Sequence, residues 1–182
     1  MAGAAALILT ACAEPALPPP QASLDGIQAL RAADAAPMRI GAFSPAPGPP
    51  TMMDKSIIVR AGTQAAPEGS FAAYLADTLA AELKGAGRLD PNSSLVLSGV
   101  ITDTHADAAM PTARARLAAR FTLTRSGQTV FDKTLNVEAE WNSDFVGAVA
   151  IPDAFNQYSG LFPRLATKLF ADPQFKAAAR RS

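Results

Sequence analysis

Residues 113–141 read ARARLAARFTLTRSGQTVFDKTLNVEAEW, and their alternation decides the fold class. Ala113, Ala115, Leu117, Ala119, Phe121 and Leu123 fall on one side of an extended chain, while Arg114, Arg116, Arg120, Thr122 and Thr124 fall on the other. Successive side chains of a strand point to opposite faces, so this pattern means a strand with one dry and one wet face, as in an antiparallel sheet. Ser126-Gly127-Gln128 turns the chain, and Phe131, Leu135, Val137, Ala139 and Trp141 carry the apolar face back. A two-residue turn would set odd positions against even ones and put Phe121 opposite Asp132. An odd-length turn, three residues with a positive φ near Gly127, sets Phe121 opposite Lys133 and Leu117 opposite Val137. The same register sets Arg116 opposite Glu138 and Arg114 opposite Glu140, so apolar packing and charge pairing select one alignment. Lys133 is the misfit on the dry face, placed near the sheet's end where its ammonium can reach water.

Working outward, Leu95, Leu97, Gly99 and Ile101 alternate with Val96, Ser98 and Val100. That strand is apolar on both faces and belongs in the middle of the sheet. A polar loop from Asp103 to Thr112 joins it to the alternating stretch. Ser56-Ile57-Ile58-Val59-Arg60 is a β-branched run and reads as the first clear strand. A helix follows it: Ser70 is a good N-cap, Phe71, Tyr74, Leu75, Thr78, Leu79 and Leu83 share one face, and Gly85 and Gly87 supply the stop. From Ile151 the chain is helical again, with Ile151, Phe155, Tyr158, Phe162, Leu165 and Leu169 on one face and Pro152 in the first turn. Gly160 and Pro163 kink or divide this helix, Asp172-Pro173 ends it, and Phe175 folds back on the core. The order strand–helix–strand–strand–strand–helix predicts an α+β fold: a mainly antiparallel sheet of about four strands with two helices packed on one face.

Nine of the 15 prolines fall in the first 50 residues. The asymmetry predicts a proline-rich tether over 12–50 and a single α+β domain over 51–182, with only a short helix near 25–36 and a short edge strand near 38–43 inside the tether. Ala4 to Ala11 is apolar but far shorter than the roughly 20 residues of a membrane-spanning helix. Its length suits the apolar region of a secretory signal over residues 1–11. Met1-Ala2-Gly3 lacks the positive charge such signals begin with, which leads to the expectation that the true start lies upstream. The chain has one cysteine, Cys12, so an exported form has no internal disulfide to make and the thiol needs another use. Leu9-Thr10-Ala11-Cys12 resembles the lipobox of bacterial lipoproteins. That resemblance implies cleavage before Cys12, a lipid on its sulfur and anchoring in a membrane; Ala13, a residue other than Asp, implies sorting to the outer membrane facing the periplasm. The segments RAGTQAAPEGSFAAYLADTLAAELKGAG and NSDFVGAVAIPDAFNQY also resemble those of uncharacterised alphaproteobacterial envelope lipoproteins. In element order the domain is similar to LPS-assembly lipoproteins and the amino-terminal domains of TolB-like proteins, an analogy of fold that assigns no activity.

Charge and motifs narrow the function. Sixteen basic residues balance 16 acidic ones, which gives no overall field for nucleic acid. The only histidine is His105, in Asp103-Thr104-His105-Ala106-Asp107. Asp, His and Asp at this spacing could offer a metal three ligands, but a lone histidine in a loop is a weak signal, and neither metal nor cofactor is expected. His105 could serve as the base of a hydrolase, yet no G-x-S-x-G elbow presents a nucleophile, and phosphate-loop and dinucleotide fingerprints are absent. Glu138 and Glu140 each face an arginine, which argues for ionised ion-pair partners rather than a catalytic acid. An enzyme is not expected. The row Arg114, Arg116 and Arg120 has two readings: guanidinium forks for a phosphate or carboxylate partner, or a solvated face neutralised by Glu138 and Glu140. Trp141 with Asp144 and Phe145 has two as well, core packing at a strand end or an anchor for a protein partner. Together these features predict a non-catalytic, lipid-anchored envelope protein that serves as an assembly, scaffold or transport-accessory factor with an envelope-protein partner. The alternatives are a lipid- or glycolipid-binding periplasmic carrier, which requires a deep apolar cavity, and an enzyme using His105.

Overall fold

The computed structural model describes residues 17–47 and 54–181. Its elements are α1 (Leu24–Ala32), β1 (Arg39–Pro45), β2 (Ser56–Val59), β3 (Gly62–Ala65), α2 (Phe71–Gly85), β4 (Leu95–Ala106), β5 (Thr112–Arg125), β6 (Gln128–Asn142), α3 (Gly147–Ser159), α4 (Leu161–Ala171) and α5 (Pro173–Ala179). One four-stranded sheet has the order β1-β4-β5-β6, and β2 and β3 form a separate hairpin. The fold is α+β.

The alternating stretch forms the long β5–β6 ladder. Its register is the expected one: Phe121 opposes Lys133, Leu117 opposes Val137, Arg116 opposes Glu138 and Arg114 opposes Glu140. The turn that delivers it is different. Arg125 pairs with Gln128 across Ser126 and Gly127 alone, whose φ values of 49° and 85° are both positive, as tight hairpin turns require. The parity is restored by a register shift in which Leu123 opposes Phe131 but Thr124 opposes Thr129. The extra residue of this bulge, Val130, is turned out to solvent.

β4 is central, hydrogen-bonded to β5 on one side and β1 on the other. It runs to Ala106, so the first residues of the expected loop are strand, with a register shift between Ile101 and Asp103. One expectation about its other neighbour needs correction. The Ser56–Arg60 run does not join the main sheet; it pairs only with β3. The edge position belongs to β1, the short edge strand expected near 38–43, which runs parallel to β4, so the mainly antiparallel sheet contains one parallel pair. Parallel neighbours need a long crossover, and α2, packed against both β1 and β4, supplies it.

A tether extending to residue 50 is also not what the structure shows. Leu17, Leu30, Ala33, Ala35 and Met38 are buried in the common core, and Met38 exchanges backbone hydrogen bonds with Arg88 and Asp90. Among the described residues, packing into the body already includes Leu17. One buried carboxylate holds this segment down: Glu82 of α2, fully buried, accepts the Ser23 N–H at 3.0 Å where α1 begins. Ser23 in turn caps α1 by accepting the Gly26 N–H at 3.0 Å. Position 26 must be glycine for this approach, because a Cβ there would stand 2.3 Å from Glu82 Oε2.

α2 starts at Ser70, whose side chain accepts the Ala73 N–H. The C-terminal helical region is longer than expected. α3 begins at Gly147, so Pro152 lies inside the helix rather than in its first turn. Gly160 divides α3 from α4, and Pro163 falls in the first turn of α4, where no intrahelical N–H is needed. Asp172 caps α5, accepting the N–H groups of Gln174 and Phe175. Phe175 is fully buried, 5.5 Å from the Phe131 ring. Between sheet and helices, Phe71, Tyr74, Tyr158 and Phe162 meet mainly edge to face, at 4.9–6.0 Å between ring centres. Tyr158 and Thr104 share a buried hydrogen bond of 2.6 Å, and burial pushes the Tyr158 hydroxyl well above its ordinary pKa.

Candidate functional site

The wet face of β5 carries the arginine row. Arg114 Nε donates to Glu140 Oε2 at 3.0 Å, as the cross-strand register predicts. Arg116 does not take its opposite number Glu138. Its Nε donates to Asp103 Oδ2 of β4 at 2.6 Å. Arg120 opposes Thr134 and reaches the diagonal Asp132 instead, with Nε to Oδ1 at 2.7 Å and Nη2 to Oδ2. Diagonal neighbours lie within reach of long side chains on a sheet surface, and the Arg120–Asp132 contact is bidentate. The Arg120 hydrogen bonds hold the Asp132 carboxyl below its ordinary pKa, and Asp132 raises that of Arg120. All three arginines therefore meet a carboxylate of the same face.

Above this face lies an open groove of about 580 Å³ lined by His105, Asp107, Arg114, Arg116, Glu138 and Glu140. His105 Nε2 is 3.3 Å from Asp107 Oδ2. Asp107 also accepts the backbone N–H groups of Ala109 and Arg114, each at 3.1 Å. Partial burial pushes the Asp107 carboxyl upward, but these N–H groups and His105 outweigh it, and its pKa lies below the ordinary value. Asp103 is turned to Arg116, so Asp103, His105 and Asp107 do not converge on one point. Among the described residues no group of three or more His, Cys, Asp or Glu side chains is placed to hold a metal ion.

The third predicted group splits up. Trp141 is half-buried and packs on the core, with its ring N–H buried and unpartnered. Asp144 turns its carboxylate to the Val146 N–H at 2.7 Å, close to the start of α3. Phe145 points outward and is 81% exposed. Val146, which follows it, is also exposed, as are Val149 in the first turn of α3, Met110 in the β4–β5 loop and Ile58 on β2.

The side chain that organises this end is Arg60, which sequence reasoning treated only as the end of a strand. It sits at the β2–β3 turn with φ 52°. Its Nε and Nη2 donate to the Ala108 carbonyl at 3.1 and 2.8 Å. Nη2 also reaches Ser143 Oγ at 3.3 Å and the Asp144 carbonyl at 2.9 Å, and Nη1 the Phe145 carbonyl at 3.3 Å. One guanidinium thus ties the β2–β3 hairpin to the β4–β5 loop and the loop after β6. The only available signal was an arginine at the end of a β-branched run, just before Ala61-Gly62.

Comparison with known proteins bears on the scaffold. No protein-family model matches the chain, and no curated protein matches it. Among solved structures, the chain is similar to protein XCC0632 from Xanthomonas campestris, described under the family model DUF330. That match has a TM-score of 0.57 at 14% identity and covers 78% of this chain and 85% of that one. The likeness is one of fold. A minor lipoprotein from Acinetobacter baumannii aligns more loosely, with a TM-score of 0.45 at 12% identity over 79% of this chain and 94% of that one. Cys12 lies outside the described residues, and no described helix is long and apolar enough to cross a membrane.

Proposed function

We propose that this protein is a non-catalytic component of the bacterial cell envelope, held to the membrane by a lipid on Cys12. It would work through its surface as an assembly, scaffold or transport-accessory factor, on the periplasmic side of the outer membrane. The observation that carries this reading is that, among the described residues, the space between sheet and helices is filled, and the larger cleft of about 390 Å³ beside it opens at the surface along Pro18, Pro19 and Pro20. A carrier would hold its ligand between sheet and helices, and that space is occupied by the Phe71, Tyr74, Tyr158 and Phe162 rings. The cleft beside Leu17, lined also by Gln64, Ile151 and Phe155, encloses about 180 Å³, less than the roughly 300 Å³ at which ligand pockets begin. The arginine row, neutralised by its own face, supports a solvated surface rather than an anion site. Lipidation rests on Leu9-Thr10-Ala11-Cys12 and on Cys12 being the sole cysteine.

The test is metabolic labelling with an alkyne fatty acid in cells expressing the gene from its own locus. Label is expected on the natural protein, recovered in outer-membrane fractions, and not on Cys12→Ser. An unlabelled natural protein would overturn the anchor. Crosslinking in the same cells followed by mass spectrometry is expected to recover an envelope protein. Recovery of a co-purifying lipid in stoichiometric amount would instead favour a carrier.

A further inference from the structure

Of the eight large apolar side chains exposed among the described residues, five are Ile58, Met110, Phe145, Val146 and Val149. Ile58, Met110, Phe145 and Val146 sit on the three segments that Arg60 ties together, at the end of the sheet remote from the Ser126-Gly127 turn, and Val149 follows in the first turn of α3. Scattered exposed apolar residues mean little, whereas a contiguous set marks a contact surface. Two observations say what covers it.

The first is where the chain enters the body. Leu17 is buried in a cleft with Gln64 of β3 and with residues of α3 from Ile151 to Ser159. The entry point therefore lies on the hairpin that carries Ile58 and along the helix that Val146 precedes and whose first turn carries Val149. Five residue steps separate Cys12 from Leu17, which span at most about 18 Å when fully extended. A lipid on Cys12 would keep this end of the molecule at the bilayer surface. The long tether expected from the prolines would have allowed any orientation; with Leu17 packed, the reach from Cys12 is limited to that span.

The second is charge. Arg60 is exposed, and its hydrogen bonds run to carbonyls and one hydroxyl. Among the described residues it forms no ion pair with a carboxylate. A guanidinium held by carbonyls and a hydroxyl, with no carboxylate paired to it among the described residues, suits the interfacial zone of a membrane, where phosphate meets acyl chain.

We propose that Ile58, Met110, Phe145, Val146 and Val149, with Arg60 among them, form a face that lies on the anionic bilayer to which Cys12 is anchored. The orientation rests on the lipid-anchor reading of the previous section. Since Cys12 is the only cysteine, the full unlipidated chain can be coupled through it to vesicles of phosphatidylethanolamine and phosphatidylglycerol containing a maleimide lipid, which reproduces the anchor. Tryptophan reporters are placed by Phe145→Trp and, at the opposite end, Val130→Trp, and quenching by brominated acyl chains is read after subtracting Trp141. Strong quenching at position 145 with little at 130 is expected. Adding Arg60→Gln or Val149→Ser should reduce the position-145 quenching, by about threefold or more for the pair, with the circular dichroism spectrum unchanged. Equal quenching at both ends, or none at 145, overturns the proposal. So does absence of quenching at 145 together with dimerisation of the unattached chain, which would make the patch an interface between copies. Failure of fatty-acid labelling in cells alongside quenching at 145 would remove the anchor and leave the membrane affinity of the patch standing.

Discussion

The outer face of the sheet and the Phe145 end of the molecule use arginine in opposite ways. On the sheet, Arg114, Arg116 and Arg120 meet Glu140, Asp103 and Asp132, and the face is electrically closed on itself. At the other site Arg60 meets carbonyl and hydroxyl oxygens, so its geometry is fixed while no carboxylate among the described residues pairs with it. The row that looks most like a binding site in the sequence is self-satisfied, and the arginine at the end of a strand is held in place without an acidic partner among the described residues. What distinguishes them is the partner each fold position supplies, which the residue type alone does not reveal.

Six variants break or sharpen this contrast. The largest effect is expected where an ion pair does structural duty. Lys133, the cation on the inner side of the sheet, donates to Asp172 at 2.7 Å, and Asp172 also accepts two backbone N–H groups at the start of α5. Asp172→Ala removes the cap and strands the ammonium, a loss of about 2 kcal/mol measurable by urea denaturation. The same carboxyl carries a pH signature. Burial pushes its pKa upward, but Lys133 and the N–H groups of Phe175 and Gln174 more than offset this, so it lies below the ordinary value. A depressed pKa contributes stability that is full above the unfolded value, near about pH 4, and fades as pH falls through the folded one. Asp172→Asn should flatten part of the acid-side decline.

Arg60→Ala comes next. It leaves the Ala108, Asp144 and Phe145 carbonyls to water at a partly exposed site, so the expected cost is about 1 to 2 kcal/mol, with faster amide exchange concentrated in residues 143–146. A uniform rise in exchange across the sheet would mean that the staple is not local. Arg116→Ser is expected to stay within about 1 kcal/mol, since exposed ion pairs add little, and replacing all three row arginines with serine should leave the envelope phenotype unchanged. A clear phenotype would return the row to candidacy as a contact site. The smallest effect is spectroscopic: Arg120→Gln should let the Asp132 carboxyl rise toward its ordinary pKa in an NMR titration, with almost no change in melting temperature.

How far the residues announced these features varies along the chain. The β5–β6 register was readable because a period of two on a half-buried sheet allows one alignment, and a one-residue slip would bury Arg114 and Arg116. The turn length was not, because a bulge at Thr124 and Val130 restores parity without leaving a mark in the hydrophobic pattern. The N-terminal segment reads as tether in the sequence because its alanines and prolines show weak periodicity. Its partners are remote in sequence: Glu82 for Ser23, Arg88 and Asp90 for Met38, Val96 to Ile101 for β1. The ion partners on the outer face were half legible, because opposite residues follow from register while Asp103 and Asp132 depend on which diagonal a long side chain takes.

The sequence by itself determined the α+β class, the ladder from Thr112 to Asn142, the Ser70 helix start and the central place of β4, since each rests on local periodicity or capping. Only the tertiary structure decided that β1 rather than β2 completes the sheet, that the segment from Leu17 to Met38 packs into the core, and that Arg60 gathers three loops at one end. Those outcomes depend on contacts between segments far apart in the chain, whose energies arise from burial and hydrogen bonds formed only once α2 and α3 have brought the segments together.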